Sequence, residues 1–175
     1  SGEYERTMNR EDCFKDMYDM GATGIEILAN SHIDSYPELS EEYLAEWNRL
    51  CQKYNVEPAE YGHWVDTRLY KNRSISMAEA REKLINDFKI ANKLGFHILR
   101  TKLGVINGEL APVENWREII KSVLPEAEEY DVVMCPEIHL TTVLADKFVS
   151  GYVDFIEETG TKNFGLNIDL SVFQN

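Results

Sequence analysis

Apolar residues recur at the three-to-four-residue spacing of an amphipathic helix in five segments of the chain. The first segment covers residues 9–20, where Asn9 can cap the N-terminus and Gly21 can end the helix. Ser40 can cap the second helix, and Ser76 with Glu79 forms a capping box at the start of the third. The last three helices have the apolar stripes Met77, Ala80, Leu84, Phe88 and Ala91, then Trp116, Ile119, Ile120, Val123 and Ala127, and finally Val149, Tyr152, Val153 and Ile156.

A short apolar strand is predicted after the end of each helix. The strands are 24–28, 61–65, 96–100, 132–139 and 164–170, and they begin about 32 to 37 residues apart. That spacing fits one parallel strand with one crossover helix. Nothing along residues 1–175 reads as a linker or a domain boundary. The chain is therefore predicted to be one α/β domain with a parallel sheet.

An open doubly wound sheet and a closed (β/α)8 barrel both fit five such units. The Gly-rich phosphate loop of doubly wound nucleotide-binding folds follows none of the early strands. Polar residues also gather at the carboxyl ends of the strands, where barrel active sites are built. They are Asp66, Arg100, Lys102, Glu137, His139 and Asp169. Both features favour the barrel, although about 250 residues and eight strands are typical of a complete one.

Charge and cysteine usage exclude some classes of function. The chain has 31 Asp and Glu residues against 18 Lys and Arg, and its net charge of -13 repels a phosphate backbone, so nucleic-acid binding is disfavoured. The three cysteines are far apart without CxxC spacing, which indicates reduced, mostly buried thiols. No apolar run approaches the roughly 18 residues of a membrane span, and no leader opens the chain. We expect a cytoplasmic protein without membrane contact.

Two consecutive strands end on residues able to bind a metal. The stretch Val-Val-Met-Cys-Pro-Glu-Ile-His places Glu137 and His139 on one face because strand side chains alternate. The next strand, Phe-Gly-Leu-Asn-Ile, delivers Asp169. Two carboxylates and an imidazole suit Mn2+ or Mg2+ better than a thiol-rich zinc site. Plain alternatives stay open: Glu137 as a solvated charge, His139 as a wall residue and Asp169 as the acceptor of an Asx turn.

Three stretches carry a more specific signal. They are Asp19-Met-Gly-Ala-Thr-Gly-Ile-Glu-Ile-Leu28, Pro136-Glu-Ile-His139 and Gly165-Leu-Asn-Ile-Asp-Leu-Ser-Val-Phe173. In this order and spacing they resemble the sugar phosphate isomerase/epimerase superfamily, the xylose-isomerase-like TIM barrels. The likeness covers nearly the whole chain, from the first helix through the sixth strand of the barrel. Within the superfamily the chain is most similar to the subgroup that contains C-glycoside-deglycosidating enzymes.

The resemblance implies a divalent metal at the mouth of the barrel, Mn2+ first, with Mg2+, Co2+ or Zn2+ as alternatives. The family's ligands are a Glu, an Asp, a His and a Glu from strands five to eight, and Glu137 and Asp169 match the first two. The other two ligands and the first strand have no counterpart within residues 1–175, which implies an incomplete barrel. Three explanations stay open: a fragment of a longer barrel, completion by another chain, or a truncated gene.

The implied chemistry is isomerisation or epimerisation of a sugar or sugar phosphate. Glu137 would bind the metal and remove the proton next to a carbonyl, while His139 would orient a hydroxyl or act as a second acid or base. A lyase that cleaves carbon-linked glycosides is an alternative with the same metal and base. The net charge of -13 disfavours the nuclease branch of the fold. A truncated barrel that serves as a non-catalytic interaction module is the remaining alternative.

Further strand-end residues are candidates for substrate contacts. Asp66, Arg100 and Trp64 could line a sugar site, with Trp64 as an apolar wall against the ring. Arg100 could equally belong to a structural ion pair, and Glu26 in mid-strand is expected to pair with a cation such as Arg100 inside the barrel. We expect a small sugar or glycoside as substrate, and a homo-oligomer or a partner subunit, since a sheet with open edges is hard to keep soluble alone.

Overall fold

The computed structural model describes residues 8–65, 75–103, 112–139 and 142–173 of the chain, without the side chains of residues 64, 65, 102 and 103. Helices and strands alternate along these residues. The helices are α1 (Arg10–Asp19), α2 (Ala29–His32), α3 (Glu41–Tyr54), α4 (Met77–Leu94), α5 (Trp116–Glu129) and α6 (Lys147–Thr159). The strands are β1 (Gly24–Leu28), β2 (Glu57–Val65), β3 (Ile98–Leu103), β4 (Val133–Ile138) and β5 (Asn167–Ile168), and a 3-10 helix (Leu170–Phe173) follows β5. None of the described helices is both long and apolar enough to cross a membrane.

The described strands form one parallel sheet in the order β1-β2-β3-β4-β5. Each strand therefore pairs with the next along the chain. A doubly wound sheet reverses its strand order at a switch point, whereas a (β/α)8 barrel keeps the order of the sequence. The sheet and its helices form a half-barrel, which confirms the prediction of an incomplete TIM barrel.

Register between the strands sorts the side chains onto two faces. One row is covered by the helices and at most 4% exposed; it consists of Ile27, Tyr61, Leu99 and Met134. These residues belong to the hydrophobic core of the protein. Burial of each large apolar side chain contributes about 1.5–3 kcal/mol to the free energy of folding. Gly62, Arg100 and Cys135 form a row on the opposite face, which is the interior of the half-barrel.

Four strands have ends that differ from the prediction. β4 (Val133–Ile138) is one residue shorter at each end than 132–139. β2 begins at Glu57 rather than Tyr61, and Pro58 is accommodated beside a register shift in which Ala59 of β2 has no partner in β1. β3 runs Ile98–Leu103 rather than 96–100. β5 is shorter than 164–170, since Phe164 makes only an isolated bridge with Met134 and the 3-10 helix begins at Leu170. α2 is not predicted at all, because four residues are too few to show a helical period.

Local signals end and begin the helices where the sequence predicts. The side chain of Asn9 accepts a hydrogen bond from the backbone of α1, and Ser40 does the same for α3. Ser76 and Glu79 make both hydrogen bonds of the capping box at α4. Gly95 follows α4 with a φ of 85°, in the left-handed region that favours glycine.

Replacing Ser76 by alanine is expected to lower the free energy of unfolding by about 1 kcal/mol. The variant loses the hydroxyl that accepts a hydrogen bond from Glu79 N at 3.2 Å, so a backbone N–H of the first turn is left unpaired. Urea denaturation of both proteins measures the difference. Ser150→Ala, at an exposed position in α6, is the matched control and should stay within about 0.5 kcal/mol. Equal losses in the two variants would contradict the capping role.

The cysteines are free thiols, as their spacing predicts. Cys13 and Cys135 are buried and Cys51 is half-buried. Burial raises the pKa of Cys51 and of Cys135 to about 11. Both thiols are therefore protonated at neutral pH and are poor nucleophiles.

Candidate functional site

Glu137 lies near the carboxyl end of β4 and points to the interior of the half-barrel. Its side chain is 15% exposed, whereas Ile138, on the opposite face, is buried. Nη1 of Arg100 donates a hydrogen bond to Oε2 of Glu137 at 3.0 Å. The Glu137 carboxylate is therefore mostly buried, and the Arg100 guanidinium holds it in place.

Arg100 stands at the centre of a polar group that we call the Arg100 cluster: Arg100, Glu26, Glu60, Glu137 and Asn167. Nη2 of Arg100 donates to Oε1 of Glu26, and Nε lies 3.7 Å from Oε1 of Glu60. The predicted pairing of Glu26 with Arg100 is confirmed. Nδ2 of Asn167 donates to Oε1 of Glu60, which links β5 to β2 across the interior. The cluster joins all five described strands.

The sequence reading missed Glu60 and Asn167. Each alternates in phase with a residue of the interior face, Glu60 with Gly62 and Asn167 with Asp169, and that phase is the signal that could have identified them. Burial raises the pKa of Glu60, and the charge of Glu26 adds to this. Burial alone would lower the pKa of Arg100, but its hydrogen bond with Glu26 and the surrounding carboxylates raise it overall. The guanidinium therefore stays charged.

Asp169 follows β5 at the same edge and is exposed. Its N donates to Ile138 O at 2.9 Å, which extends the β4–β5 pairing toward His139. Oδ1 of Asp169 accepts a hydrogen bond from Ser171 N at 2.7 Å, so the Asx turn considered from the sequence is present. The hydrogen bonds from Ser171 lower the pKa of Asp169, and the nearby His139 contributes. Asp169 is therefore an ionised carboxylate at neutral pH.

Glu137 and Asp169 fit part of the donor set of a divalent cation. Both are carboxylates at the carboxyl edge of neighbouring strands, because Glu137 pairs with Asn167, two residues before Asp169. Hard cations such as Mg2+ prefer oxygen ligands in an octahedral arrangement. Within the described ranges no group of three or more His, Cys, Asp or Glu residues is placed to hold a metal ion. The two carboxylates suit the ligand preference of such a cation.

Two predicted substrate contacts are Trp64, near the end of β2, and Asp66, two residues further along the sequence. Trp64 is in register with Lys102 and alternates in phase with Gly62, but its side chain is outside the described residues. Asp66 lies outside the described residues altogether. Their contacts with a sugar stay predictions.

A second buried polar group, which we call the Asp87 network, lies on the helix-covered face: Asp87, His63, Tyr36 and Tyr61. Asp87 is 1% exposed, and its Oδ1 accepts hydrogen bonds from Tyr36 at 3.1 Å and Tyr61 at 3.3 Å. Its Oδ2 bonds to Nδ1 of His63. Burial and the charge of Asp87 raise the pKa of both tyrosines. The sequence signal for this network is Asp87, an acidic residue between the apolar residues Leu84 and Phe88 of α4. Through Tyr61 and His63 the network holds α4 against β2.

A cavity of about 240 Å³ lies between α1, α3 and the edge strand β1. Its walls are mainly apolar, with Phe14, Met17, Ile25, Ile27 and Trp47 among them. The cavity borders strand β1, at the opposite end of the sheet from β4 and β5. Arg10, Glu26 and His32 also line it, so polar groups reach this cavity as well.

Comparison with protein families and sequences gives consistent matches. A family model described as xylose isomerase-like TIM barrel matches residues 14–174. A C-glycoside deglycosidase alpha subunit of Arthrobacter globiformis is 24% identical over 150 residues, 85% of this chain and 39% of that protein. A 3'-dehydrocarminate deglycosidase alpha subunit of a Microbacterium species is 24% identical over 162 residues, 89% of this chain and 43% of that protein. The chain thus spans about two fifths of the length of these relatives.

Solved structures share the fold at lower identity. A D-psicose 3-epimerase of Clostridium cellulolyticum, crystallised with D-tagatose, superposes with a TM-score of 0.67 and 16% identity, over 93% of this chain and 58% of that one. A xylose isomerase-like TIM barrel protein of Mycobacterium smegmatis in complex with magnesium gives a TM-score of 0.61 and 16% identity, over 93% and 56%. The described half-barrel corresponds to somewhat more than half of each.

Proposed function

The chain belongs to the xylose isomerase-like TIM barrel family, and on that basis we propose that it carries part of the active site of a metal-dependent sugar isomerase or epimerase. The enzyme acts by removing the proton next to a carbonyl of a sugar or sugar phosphate. The observation that carries the proposal is the position of Glu137, on the interior face at the carboxyl edge of β4, one strand away from Asp169. Barrel active sites are built at this edge.

Glu137 and Asp169 would hold the divalent cation, with Mn2+ as the first expectation. When bound, such a cation polarises a carbonyl and the hydroxyl beside it, which makes the neighbouring C–H more acidic. Mg2+ is the second expectation, since a solved relative is in complex with magnesium. The remaining ligands would come from the part of the barrel that this chain does not include.

Glu137 takes the proton from the carbon next to the carbonyl. Delivery of a proton to the former carbonyl carbon, while the hydroxyl on the first carbon loses its proton and becomes the new carbonyl, exchanges an aldose and a ketose. Delivery of a proton from the opposite face of the first carbon inverts that centre instead. His139 holds or supplies a proton at a sugar hydroxyl. Trp64 and Asp66 would bind the sugar from the end of β2.

A second candidate is a lyase that cleaves carbon-linked glycosides. It is favoured by one observation: both sequence relatives described above are deglycosidase alpha subunits. The substrate would be a glycoside whose sugar carries a carbonyl. Removal of the adjacent proton lets its electron pair form a carbon–carbon double bond, while the bond to the aglycone carbon breaks. The aglycone leaves with the electrons of that bond and takes up a proton.

The two candidates differ in the partner they need. Because the relatives are named alpha subunits, the lyase would work with a second subunit, whereas an isomerase or epimerase would act alone or as a homo-oligomer. A truncated, non-catalytic module would need neither a metal nor a substrate.

Deuterium exchange tests the proposal and separates the candidates. The full-length protein with Mn2+ is incubated in D2O with D-fructose, or with a C-glycoside oxidised in the sugar ring, and products are followed by NMR. An isomerase or epimerase incorporates deuterium next to the carbonyl of the ketose and forms a second sugar, at least about 100-fold faster than the EDTA-treated protein. Release of an aglycone without conversion of the ketose indicates the lyase. No exchange in either substrate, with or without a partner subunit, would contradict both.

A further inference from the structure

We propose that Arg100 is a positioning residue that sets the orientation of Glu137 and is itself anchored by Glu26 on the edge strand β1. The inference rests on the proposed function only for the role of Glu137. It replaces the direct substrate contact that the sequence suggests for Arg100. The argument depends on the geometry of the guanidinium, on the space above Gly62 and on burial.

Each of the three guanidinium nitrogens of Arg100 faces a carboxylate from a different strand. Nη1 donates to Glu137 on β4 at 3.0 Å, Nη2 donates to Glu26 on β1, and Nε lies 3.7 Å from Glu60 on β2. A planar guanidinium with three directions occupied has a defined orientation. A lysine ammonium is a point charge and cannot span the same three partners.

Gly62 makes this reach possible. It is the register partner of Arg100 on β2, the strand that lies between β3 and β1. A Cβ at Gly62 would lie 3.1 Å from Nη2 of Arg100 and 2.7 Å from Cδ2 of Leu28. The guanidinium therefore crosses β2 where a side chain is absent. This observation concerns the space around Gly62 and does not depend on the charges.

Burial makes the contact to Glu137 effective. The side chain of Arg100 is 11% exposed and that of Glu137 is 15% exposed, so little water is present to screen or replace their hydrogen bond. Glu137 lies at the carboxyl edge of its strand, and Glu26 is the partner of Arg100 most distant from it in the strand order. The orientation of the proposed base is thus coupled to the far edge of the half-barrel.

The first test needs no metal and no substrate. A double-mutant cycle with Arg100→Gln and Glu137→Gln measures their coupling in urea unfolding of the metal-free, full-length protein. We expect a coupling of about tenfold in the unfolding equilibrium constant. Gly62→Ala and Glu26→Gln, each introduced as a new background for the cycle, should reduce that coupling to about twofold. A coupling below about twofold in the parent, or an unchanged coupling in both backgrounds, overturns the proposal.

The second test asks whether the orientation serves cation binding. Isothermal titration with Mn2+ should show about tenfold weaker binding for two variants. Arg100→Lys keeps the positive charge at that position, and Gly62→Ala changes no charged residue. If Arg100 acted only through its field, Arg100→Gln would bind Mn2+ more tightly and the other two variants would be unchanged. Arg117→Lys, in an exposed pair with Glu158 at 2.9 Å, is the matched control and should leave binding unchanged.

The two tests separate the failure of this inference from failure of the proposed function. A parent protein that binds no Mn2+ counts against the proposed function, while the metal-free cycle still decides whether Arg100 positions Glu137. If the parent binds Mn2+ and both Arg100→Lys and Gly62→Ala bind it equally tightly, the metal site is supported and the positioning role is overturned.

Discussion

Replacing Glu137 by glutamine is expected to lower the rate of deuterium exchange by about 10³-fold and to weaken Mn2+ binding at least about tenfold. Glutamine keeps the size of the side chain, so the fold should be retained. It cannot take a proton, which removes a contribution of about 10² to 10⁴ from acid–base catalysis. It also replaces a charged cation ligand by a neutral one. Exchange is measured by NMR and affinity by isothermal titration.

Two further variants make this result interpretable. Glu129→Gln makes the same chemical change at an exposed position of α5 and should leave exchange and affinity unchanged. Asp169→Asn should weaken Mn2+ binding like Glu137→Gln, because the two carboxylates are expected to share one cation. If Glu137→Gln and Asp169→Asn bind Mn2+ as tightly as the parent, the assignment of the site is wrong.

Replacing Asp87 by alanine is expected to produce the largest loss of stability, about 3–5 kcal/mol in the free energy of unfolding. Asp87 is 1% exposed and accepts hydrogen bonds from Tyr36, Tyr61 and His63. Alanine leaves these polar groups inside the protein without their acceptor. Removing one partner of a buried charged network costs that much because the others keep their desolvation penalty. Urea unfolding followed by circular dichroism measures the loss.

Matched variants distinguish the buried network from charge alone. Asp19→Ala removes an exposed carboxylate from its pair with Lys15, and the loss should not exceed about 0.5 kcal/mol. Tyr61→Phe removes one donor and its hydrogen bond and should cost about 1 kcal/mol. Asp87→Ala behaving like Asp19→Ala would show that the network is not a stabilising element.

Much of the architecture could be predicted because its signals are local. A helix cap such as Ser76 with Glu79, or a stop such as Gly95, needs only residues within four positions of each other. The strand β2 was harder, since Pro58 normally argues against a strand. Its inclusion depends on its register with β1, in which Ala59 is skipped between the pairs Ile25–Pro58 and Glu26–Glu60, and this register is set by pairing with the other strand.

The strand β5 illustrates a different limit. Its apolar run predicts seven residues, 164–170, but only Asn167 and Ile168 pair as a strand. Hydrogen bonding to β4 is what makes a residue part of a sheet, and the partner determines how far pairing extends. The position of Asp169 just after this strand was nevertheless predictable, because the apolar run ends there.

The sequence by itself determined the order of strands β1 to β5 and of the α-helices other than α2, the face to which Glu137 points and the family to which the chain belongs. These follow from side-chain periodicity and from short motifs, which are properties of contiguous residues. The sequence also suggested that Glu26 pairs with a cation such as Arg100, whereas the other partners of the charged groups were decided only by the tertiary structure. Glu26 and Arg100 are 74 residues apart, Arg100 and Glu137 are 37 apart, and His63 and Asp87 are 24 apart. Such contacts depend on strand register and on which helix covers which strand, so they arise only when distant segments pack together.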